Sequence, residues 1–338
     1  MFVKQNAGIY LLELAIMAAL TAAACFVPLA SLLCAVLLPV FFMMLSAGRP
    51  AKITILTILL QTALSLLFCL VQRGASLTIA LDAVLFALSL SVSGAAMGLL
   101  LTRCQSLYRI VGAGAGANLL IIVLQIGKYK WLDGIDFMET FVNQPIHDFV
   151  QLYQAQCAAL GEPYTAIADM LGSNVWFIQQ SIGAMIPAFM LIFSLYSAYF
   201  VFLLSRKLLY CRCRMAFPDV AHFWEVQCKR VVVVAFVTAL LLSNLLGMSQ
   251  TGNAALNLAL VLGSAIVLCG FSFIDYYFRR TRIPCGLRAV IYAVGFVLLS
   301  VLTMLIPLFS TITALVLLGL ADGLLDIRKL RRKEADTL

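Results

Sequence analysis

The sequence predicts an all-α protein, a transmembrane helical bundle of about ten spans with both termini in the cytoplasm. Hydrophobic residues make up 63% of the 338 residues and charged residues only 11%, against about 45–50% and about 25% in a typical soluble domain. No soluble fold can bury this much apolar surface, so lipid must surround the chain. The lengths of the apolar runs and the positions of the cations then set the number and direction of the spans.

Each span follows from one apolar run, because about 20 mostly apolar residues cross a bilayer. The runs, in order, are 8–27, 30–47, 53–71, 77–101, 108–126, 174–205, 231–250, 254–278, 287–305 and 309–325. Two pairs, 8–47 and 287–325, are broken only at Pro28 and Pro307. Proline favours a turn there, and a fused helix would be about 60 Å long, so we predict two spans in each pair, with one bent span as the alternative. A signal peptide is the alternative for the first run, which continues past Ala24 and so favours an uncleaved helix.

Positive charge alternates along the chain as the positive-inside rule requires. With both termini inside, the outer segments hold only three of the 23 Lys and Arg residues, namely Arg73, Lys128 and Lys130. An error of one span would break this alternation. The net charge of +8 is therefore attributed to topology, and no basic face with interleaved aromatic residues predicts nucleic-acid binding.

Three parts of the chain follow from this topology. Residues 1–205 form a membrane bundle that includes a long outer loop at 127–173, residues 206–230 form a basic cytoplasmic loop, and residues 231–338 form a four-helix membrane part with a basic tail. Apolar residues recur at spacings of three to five in the outer loop, which predicts amphipathic helices. These helices either pack at the interface or cover a binding site.

The cytoplasmic loop contains cysteines that could suggest a metal site. Cys211, Cys213, His222 and Cys228 are separated by one, eight and five residues, which does not match the usual zinc spacing of about two to four residues between paired cysteines. Cys157 is the one cysteine in the outer loop, so no disulfide framework is predicted. The segment FPDVAHFWEV is predicted to lie at the membrane interface with its aromatic residues among the headgroups: Phe217, Phe223 and Trp224.

Polar residues within the apolar runs are the candidates for ligand binding. Asp82 lies about one turn inside the outer end of span 4, with only Arg73 as an obvious cation nearby, and an intramembrane charge is a functional hypothesis by default. The predicted substrate-binding residues, an acid, amides and an aromatic residue of the kind that line small-molecule pockets, are Asp82, Asn118, Trp176, Gln179 and Gln180. The alternatives are that Asp82 reaches the headgroups or pairs with Arg73, and that the amides join neighbouring helices.

The acids at the inner ends of the spans are predicted to be interfacial and to pair with basic loops. Asp275 lies four residues before Arg279, the spacing of a helical ion pair, and Asp322 and Asp326 precede Arg328. Glycines predict close packing between helices, and they are Gly94 and Gly98 in span 4 and those of the GAGAGAN segment 112–118. This segment is not a phosphate-binding loop, because it lacks the Lys-Ser/Thr of that motif.

No catalytic constellation emerges from the sequence. The two histidines, His147 and His222, lie on opposite sides of the membrane in this topology, and no metalloprotease, serine hydrolase or nucleotide-binding motif is present. We therefore expect the chain not to be an enzyme and to hold neither a metal nor another cofactor.

Motifs in the second half resemble the YybS-like family of polytopic membrane proteins of unknown function. They are AMIPAFMLIFSLYSAYFVFLLSRKLL in span 6, FPDVAHFW in the inner loop, the Asn257-then-Gly270 pattern of span 8 and the closing GLADGLLDIRKLRRK. The resemblance covers most of the chain and is clearest over residues 180–333. One departure is that Glu225-Val226-Gln227 stands where the family has a proline after Trp-Glu.

The first six spans also resemble the substrate-binding S component of energy-coupling factor transporters. The stripe Ala15, Ala19 and Ala23 is similar to the small residues with which such proteins contact a transmembrane partner, and Pro28 and Pro39 followed by SAGRPAK are similar too. The resemblance implies a prokaryotic cell-membrane subunit that captures a small solute and works with a coupling partner and ATPase subunits. The alternative is a non-transporting scaffold or regulatory protein that binds other membrane proteins.

Overall fold

The computed structural model describes residues 7–74, 76–103, 106–161, 164–213, 222–281, 283–284, 286–288, 290–292, 294 and 311–328. Within these residues the chain is helical and contains no strand. The helices are α1 (Ala7–Phe26), α2 (Pro28–Ser46), α3 (Ala51–Arg73), α4 (Leu77–Leu101), α5 (Leu107–Trp131), α6 (Gln144–Leu160), α7 (Tyr164–Ser173), α8 (Val175–Cys213), α9 (Arg230–Leu246), α10 (Gln250–Arg280) and α11 (Thr311–Leu325), with a π-helical turn at Glu139–Asn143 and a 3-10 turn at Phe223–Glu225. Nine of the predicted spans coincide with one of these helices, and most of the remaining one, 287–305, lies outside the described residues.

Several of the described helices are long and apolar enough to cross a membrane. Five meet both requirements: Ala51–Gln72, Leu77–Leu101, Leu107–Trp131, Val175–Leu209 and Gln250–Arg280. Shorter apolar helices of 10–17 residues accompany them at Tyr10–Phe26, Leu33–Ser46, Arg230–Leu246 and Ile312–Leu325. The chain is therefore an all-α membrane protein, and the count of ten spans and their direction remain predictions.

The first nearly continuous apolar run folds as two helices. Val27 has extended backbone angles, and α2 begins at Pro28, where proline is tolerated because the first helical N–H groups have no intrahelical partner. Met17 of α1 and Leu38 of α2 then share one buried core cluster. The predicted break at Pro307 lies outside the described residues.

The chain divides into two compact units. The first comprises Met1–Gly183 and Met190–Asp219, and the second comprises Ala184–Phe189 and Val220–Leu338. A short part of α8 thus groups with the second unit. The helix also continues through 206–213, which the sequence placed in the cytoplasmic loop.

Glycine brings α2 and α4 of the first unit into backbone contact. A methyl group added at Gly94 would overlap the carbonyl oxygen of Pro39, and one at Gly98 would overlap the side chain of Ser46. The prediction of close packing at these two glycines is confirmed. In the GAGAGAN segment only Gly114 is constrained, by Met97, because Gly112 and Gly116 have open space around them.

Helix α10 organises the second unit together with α9 and α11. Gly270 on α10 packs against the backbone of Leu315 on α11, and Gly319 on α11 packs against the backbone of Ile266 on α10. This reciprocal contact brings the two helix axes close together along one face. Phe236 of α9 closes the other side against Gly263.

Candidate functional site

An apolar cavity of about 410 Å³ lies in the first unit, beneath the helices of the predicted outer loop. This volume falls within the range of about 300–1,000 Å³ that small-molecule pockets occupy. The π-helical turn, α6, α7 and the beginning of α8 line it, and its walls are almost entirely apolar. It is open to the surface, where Phe141 and Phe149 are 49% and 62% exposed. The lining residues are Phe141, Val142, Pro145, Ile146, Phe149, Val150, Leu171, Ile178 and Ile182.

Local sequence explains how these helices form a wall. Pro145 stands in the first turn of α6, where a missing N–H costs nothing. Val142, Ile146, Phe149 and Val150 are spaced so that they share one face of a helical segment. The prediction of amphipathic helices within 127–173 is therefore confirmed.

Polar contacts at the rim hold the cavity walls together. The Gln179 side chain of α8 donates to the carbonyl oxygen of Asn143 at 3.1 Å. The Gln154 side chain of α6 donates to the carbonyl oxygen of Ala168 at 3.3 Å and so joins α6 to α7. These amides position the walls, and their side chains are not part of the cavity lining.

Asp82 is paired with a lysine rather than with a ligand group in this structure. The Lys128 ammonium of α5 lies 2.6 Å from the Asp82 carboxylate and 2.7 Å from that of Asp133. The Lys128 side chain is only 5% exposed, whereas that of Asp82 is 46% exposed. Sequence reasoning overlooked Lys128 because 46 residues separate the partners. The side chain of Arg73, the expected alternative partner, lies outside the described residues.

The other predicted binding residues are not gathered at one point. Asn118 donates to the Ser197 hydroxyl at 2.9 Å and thereby joins α5 to α8. Trp176 is 67% exposed, and Gln180 is exposed as well. None of the five predicted residues lines the apolar cavity.

The alanine stripe of α1 has an open side. Ala15 and Ala19 are exposed, whereas Ala23 is half-buried against the core of the first unit. Their neighbours Leu11 and Leu12 are exposed too, at 65% and 61%. This face is available to lipid or to another helix.

A buried polar seam between α1 and α3 was not foreseen. Thr54, Thr57, Gln61 and Ser65 of α3 are all nearly inaccessible and are spaced three or four residues apart, so they share one helix face. Gln61 accepts a hydrogen bond from Thr21 at 2.6 Å. Its side-chain N–H donors find no acceptor among the described residues.

An ion pair lies at one end of this seam. Glu13 of α1 pairs with Arg49 at 2.5 Å, and both side chains are at most 10% exposed. The Arg49 guanidinium also lies 4.6 Å above the ring of Tyr10, whose hydroxyl is 3.1 Å from that of Thr57. Because 36 residues separate Glu13 from Arg49, spacing along the chain does not indicate this pair.

Arg328 is the centre of a second buried network, in the second unit. The side chains of Arg328 and Asp322 are both fully buried, with 2.7 Å between them. The remaining Arg328 contacts are the carbonyl oxygens of Trp224 at 2.7 Å and Val226 at 2.8 Å, and the Ser272 hydroxyl at 2.9 Å. The five N–H donors of an arginine side chain are thereby all accounted for. The predicted pairing of Asp322 with Arg328 is confirmed, and its location at the membrane interface stays a prediction.

Trp224 packs against two neighbouring side chains, and its location among the headgroups stays a prediction. The Arg279 guanidinium lies 3.4 Å from its ring centroid, and the His222 ring stacks on it at 4.2 Å with an interplanar angle of 7°. Arg279 also pairs with Asp275 at 3.0 Å, which confirms the predicted helical ion pair. Phe223 is 45% exposed, and Phe217 lies outside the described residues.

Within the described part of the chain, no group of three or more His, Cys, Asp or Glu side chains is placed to hold a metal ion. The side chains of Cys211 and Cys213 lie outside that part. His222 is engaged with Trp224, and Cys228 lies beside Cys269.

The helices and the buried ion pairs together define an integral membrane protein built from apolar helices. A model of a family of predicted membrane proteins, DUF2232, matches residues 15–322, and the chain belongs to that family. No curated protein and no solved structure matches the chain.

Proposed function

We propose that the chain is a transporter-like membrane subunit that binds a small solute in the apolar cavity beneath α6. The cavity itself carries this proposal, because it has the volume of a small-molecule pocket and is lined by the helices of the predicted outer loop. An almost wholly apolar lining favours a solute with a large apolar or aromatic part, because charged groups would lose their hydration there.

This proposal changes the expected ligand chemistry. The sequence suggested recognition through Asp82 and amides, whereas the cavity offers aliphatic and aromatic walls. Asp82 and Lys128 then serve to join α4 to α5. Solute discrimination rests on shape and apolar area, which distinguishes related molecules by about 1–3 kcal/mol per methylene group.

The binding test compares two tryptophan substitutions on the same helix. Ile146→Trp places a large ring in the cavity, whereas Leu152→Trp changes a residue that is 60% exposed and lies outside the lining. Native mass spectrometry of the purified protein against vitamins, nucleosides and amino acids should detect an adduct with weakly charged aromatic or aliphatic members. Ile146→Trp should abolish the adduct and Leu152→Trp should keep it. Equal binding by both variants, or no adduct with any member, contradicts the proposal.

The finer topology belongs to the same proposal: ten spans in a prokaryotic cell membrane, both termini cytoplasmic and 127–173 outside. The cation distribution supports it. Cys157 is a poor labelling site because it is only 3% exposed. We therefore expect an impermeant maleimide to label Gln151→Cys in intact cells and to leave Lys229→Cys unlabelled, since both positions are exposed. The reverse labelling pattern contradicts this topology.

A coupling partner for transport would bind the exposed alanine face of α1. The resemblance to S components and the exposure of Ala15 and Ala19 support this part of the proposal. Ala19→Trp should abolish co-purification with a transmembrane partner and its ATPase subunits while the protein remains inserted. The control, Leu56→Trp, enlarges a residue of α3 that is 63% exposed and lies outside the alanine face of α1. Unchanged co-purification of Ala19→Trp leaves the S-component resemblance without support.

The second candidate function is a scaffold or regulatory protein that binds other membrane proteins. The satisfied Arg328 network and the reciprocal glycine contacts favour it, because they build a rigid second unit. This function requires no solute. Co-purification of a membrane protein that is unaffected by Ile146→Trp, together with no detectable adduct, would favour the scaffold.

A further inference from the structure

Two cysteine side chains meet in the core of the second unit. The Sγ atoms of Cys228 and Cys269 are 2.9 Å apart, and the residues are 7% and 3% exposed. Cys269 lies within α10, while Cys228 lies in the non-helical segment just before α9. Neither residue belongs to the cavity proposed to bind a solute.

The neighbouring contacts keep these two thiols together. Val226, two residues before Cys228, accepts a hydrogen bond from Ser272 of α10 at 2.8 Å. Gly323 of α11 also lies next to this segment, because a methyl group added there would overlap the Val233 side chain and would contact the Cys228 backbone and Cβ at 3.5–3.6 Å. The segment is thus attached to α10 within one helical turn of Cys269.

We propose that Cys228 and Cys269 form a reversible intrachain disulfide, a modification site that responds to the thiol–disulfide balance of the compartment. A disulfide bond is about 2.05 Å long, so the sulfur atoms need to approach by less than about 1 Å. Side-chain rotation can supply this movement without displacing α10. Disulfides in reducing compartments are usually transient or redox-sensing, which fits a pair that starts as thiols.

The chemistry is thiol–disulfide exchange with a small disulfide such as oxidised glutathione. The Cys228 thiolate attacks one sulfur of oxidised glutathione, and one glutathione leaves as a thiolate. The Cys269 thiolate then attacks the Cys228 sulfur of the mixed disulfide, and the second glutathione leaves. Two cysteine thiols are oxidised, one glutathione disulfide is reduced, and the two protons end on the glutathione thiols.

The order of attack follows from mobility. Cys228 is on a non-helical segment and has the larger exposure, so local opening of that segment presents it first. Cys269 is inside a long helix and acts second. The resulting bond would attach to α10 the segment whose Trp224 and Val226 carbonyl oxygens bind Arg328, and so would stiffen this part of the second unit.

The test uses the purified full-length protein in detergent, incubated with oxidised or reduced glutathione, then denatured and alkylated with N-ethylmaleimide. The intact mass of the wild-type protein should show two fewer alkyl groups after oxidation. Reduction with dithiothreitol before alkylation should restore both groups. Cys269→Ser should stop at a single glutathione adduct, whereas Cys228→Ser should show neither adduct nor disulfide. Cys34→Ser, which changes another buried cysteine, should behave as wild type.

Two results overturn the proposal: wild-type protein that keeps every thiol after oxidation, or a two-thiol loss that persists in Cys269→Ser. Cys228→Ala and Cys269→Ala replace the serine variants if these fail to fold, because alanine adds no polar group to the core. A second readout is thermal unfolding, where oxidation should raise the midpoint of wild type and Cys34→Ser but not that of Cys269→Ala.

Discussion

The side-chain amide of Asn257 takes the place of a backbone hydrogen bond at Ala188. Its oxygen accepts the Ala188 N–H at 2.8 Å, and its nitrogen donates to the carbonyl oxygen of Ala184 at 2.7 Å. In an uninterrupted helix these two backbone groups would bond to each other. Pro187 also lacks the N–H that would bind the preceding turn, so Asn257 supplies two side-chain hydrogen bonds to α8 where its own backbone bonding is weakened.

We expect Asn257→Asp to destabilise the protein, because a carboxylate has no donor for the Ala184 carbonyl and would place two acceptors face to face. An unsatisfied buried polar group costs about 1–3 kcal/mol. The matched control is Asn253→Asp, one turn earlier on α10, where the bonds to Asn257 and Ser249 use the backbone and not the side chain. Thermal unfolding in detergent should show a lower midpoint for Asn257→Asp than for Asn253→Asp, and equal midpoints would contradict this role.

Arg328→Leu should be among the most damaging substitutions in the second unit. It leaves Asp322 buried without its counter-charge, and breaking a buried pair costs about 3–5 kcal/mol. Arg279→Leu should cost far less, because the Arg279 side chain is 41% exposed. The double variant Arg328→Leu/Asp322→Leu should recover part of the loss, since an apolar pair requires no desolvation of charge. Folded yield after membrane extraction and thermal unfolding measure all three.

Lys128→Met should lower stability by removing the cation shared by Asp82 and Asp133. We expect a loss of about 1–3 kcal/mol rather than more, because the Asp82 side chain is 46% exposed and water screens it. The control Lys130→Met changes an exposed lysine on the same helix and should be close to neutral.

Solute binding in the apolar cavity should survive Asp82→Asn. Loss of binding in that variant, with unchanged stability, would restore the sequence prediction that Asp82 contacts the ligand.

Gly94→Ala should force α2 and α4 apart, since the added methyl group would overlap the Pro39 carbonyl. Overpacking of this kind costs about 1–3 kcal/mol. Gly112→Ala is the matched control, because nothing lies within 4 Å of a methyl group there and alanine favours the helix by about 1 kcal/mol. The two glycine substitutions should therefore shift the thermal midpoint in opposite directions, and a shift in the same direction would exclude close packing as the cause.

The sequence by itself determined the fold class and the positions of most helices. Lipid-length apolar runs can satisfy their backbone groups only as helices, so the bounds of α3, α4 and α10 follow closely from composition. Proline and glycine also act on the backbone close to their own positions, and the predicted break at Pro28 is an example. The helical ion pair of Asp275 and Arg279 was predictable because its partners are neighbours on one helix.

Only the tertiary structure decided which polar groups meet. Lys128 reaches Asp82, Asn257 reaches Ala188, and Cys228 reaches Cys269 across 46, 69 and 41 residues of chain. An apolar run constrains which residues enter the bilayer but hardly constrains the rotation of each helix about its axis. That rotation depends on glycine contacts and buried pairs formed between helices, and it brings Lys128 to Asp82, a contact that spacing along the chain did not indicate.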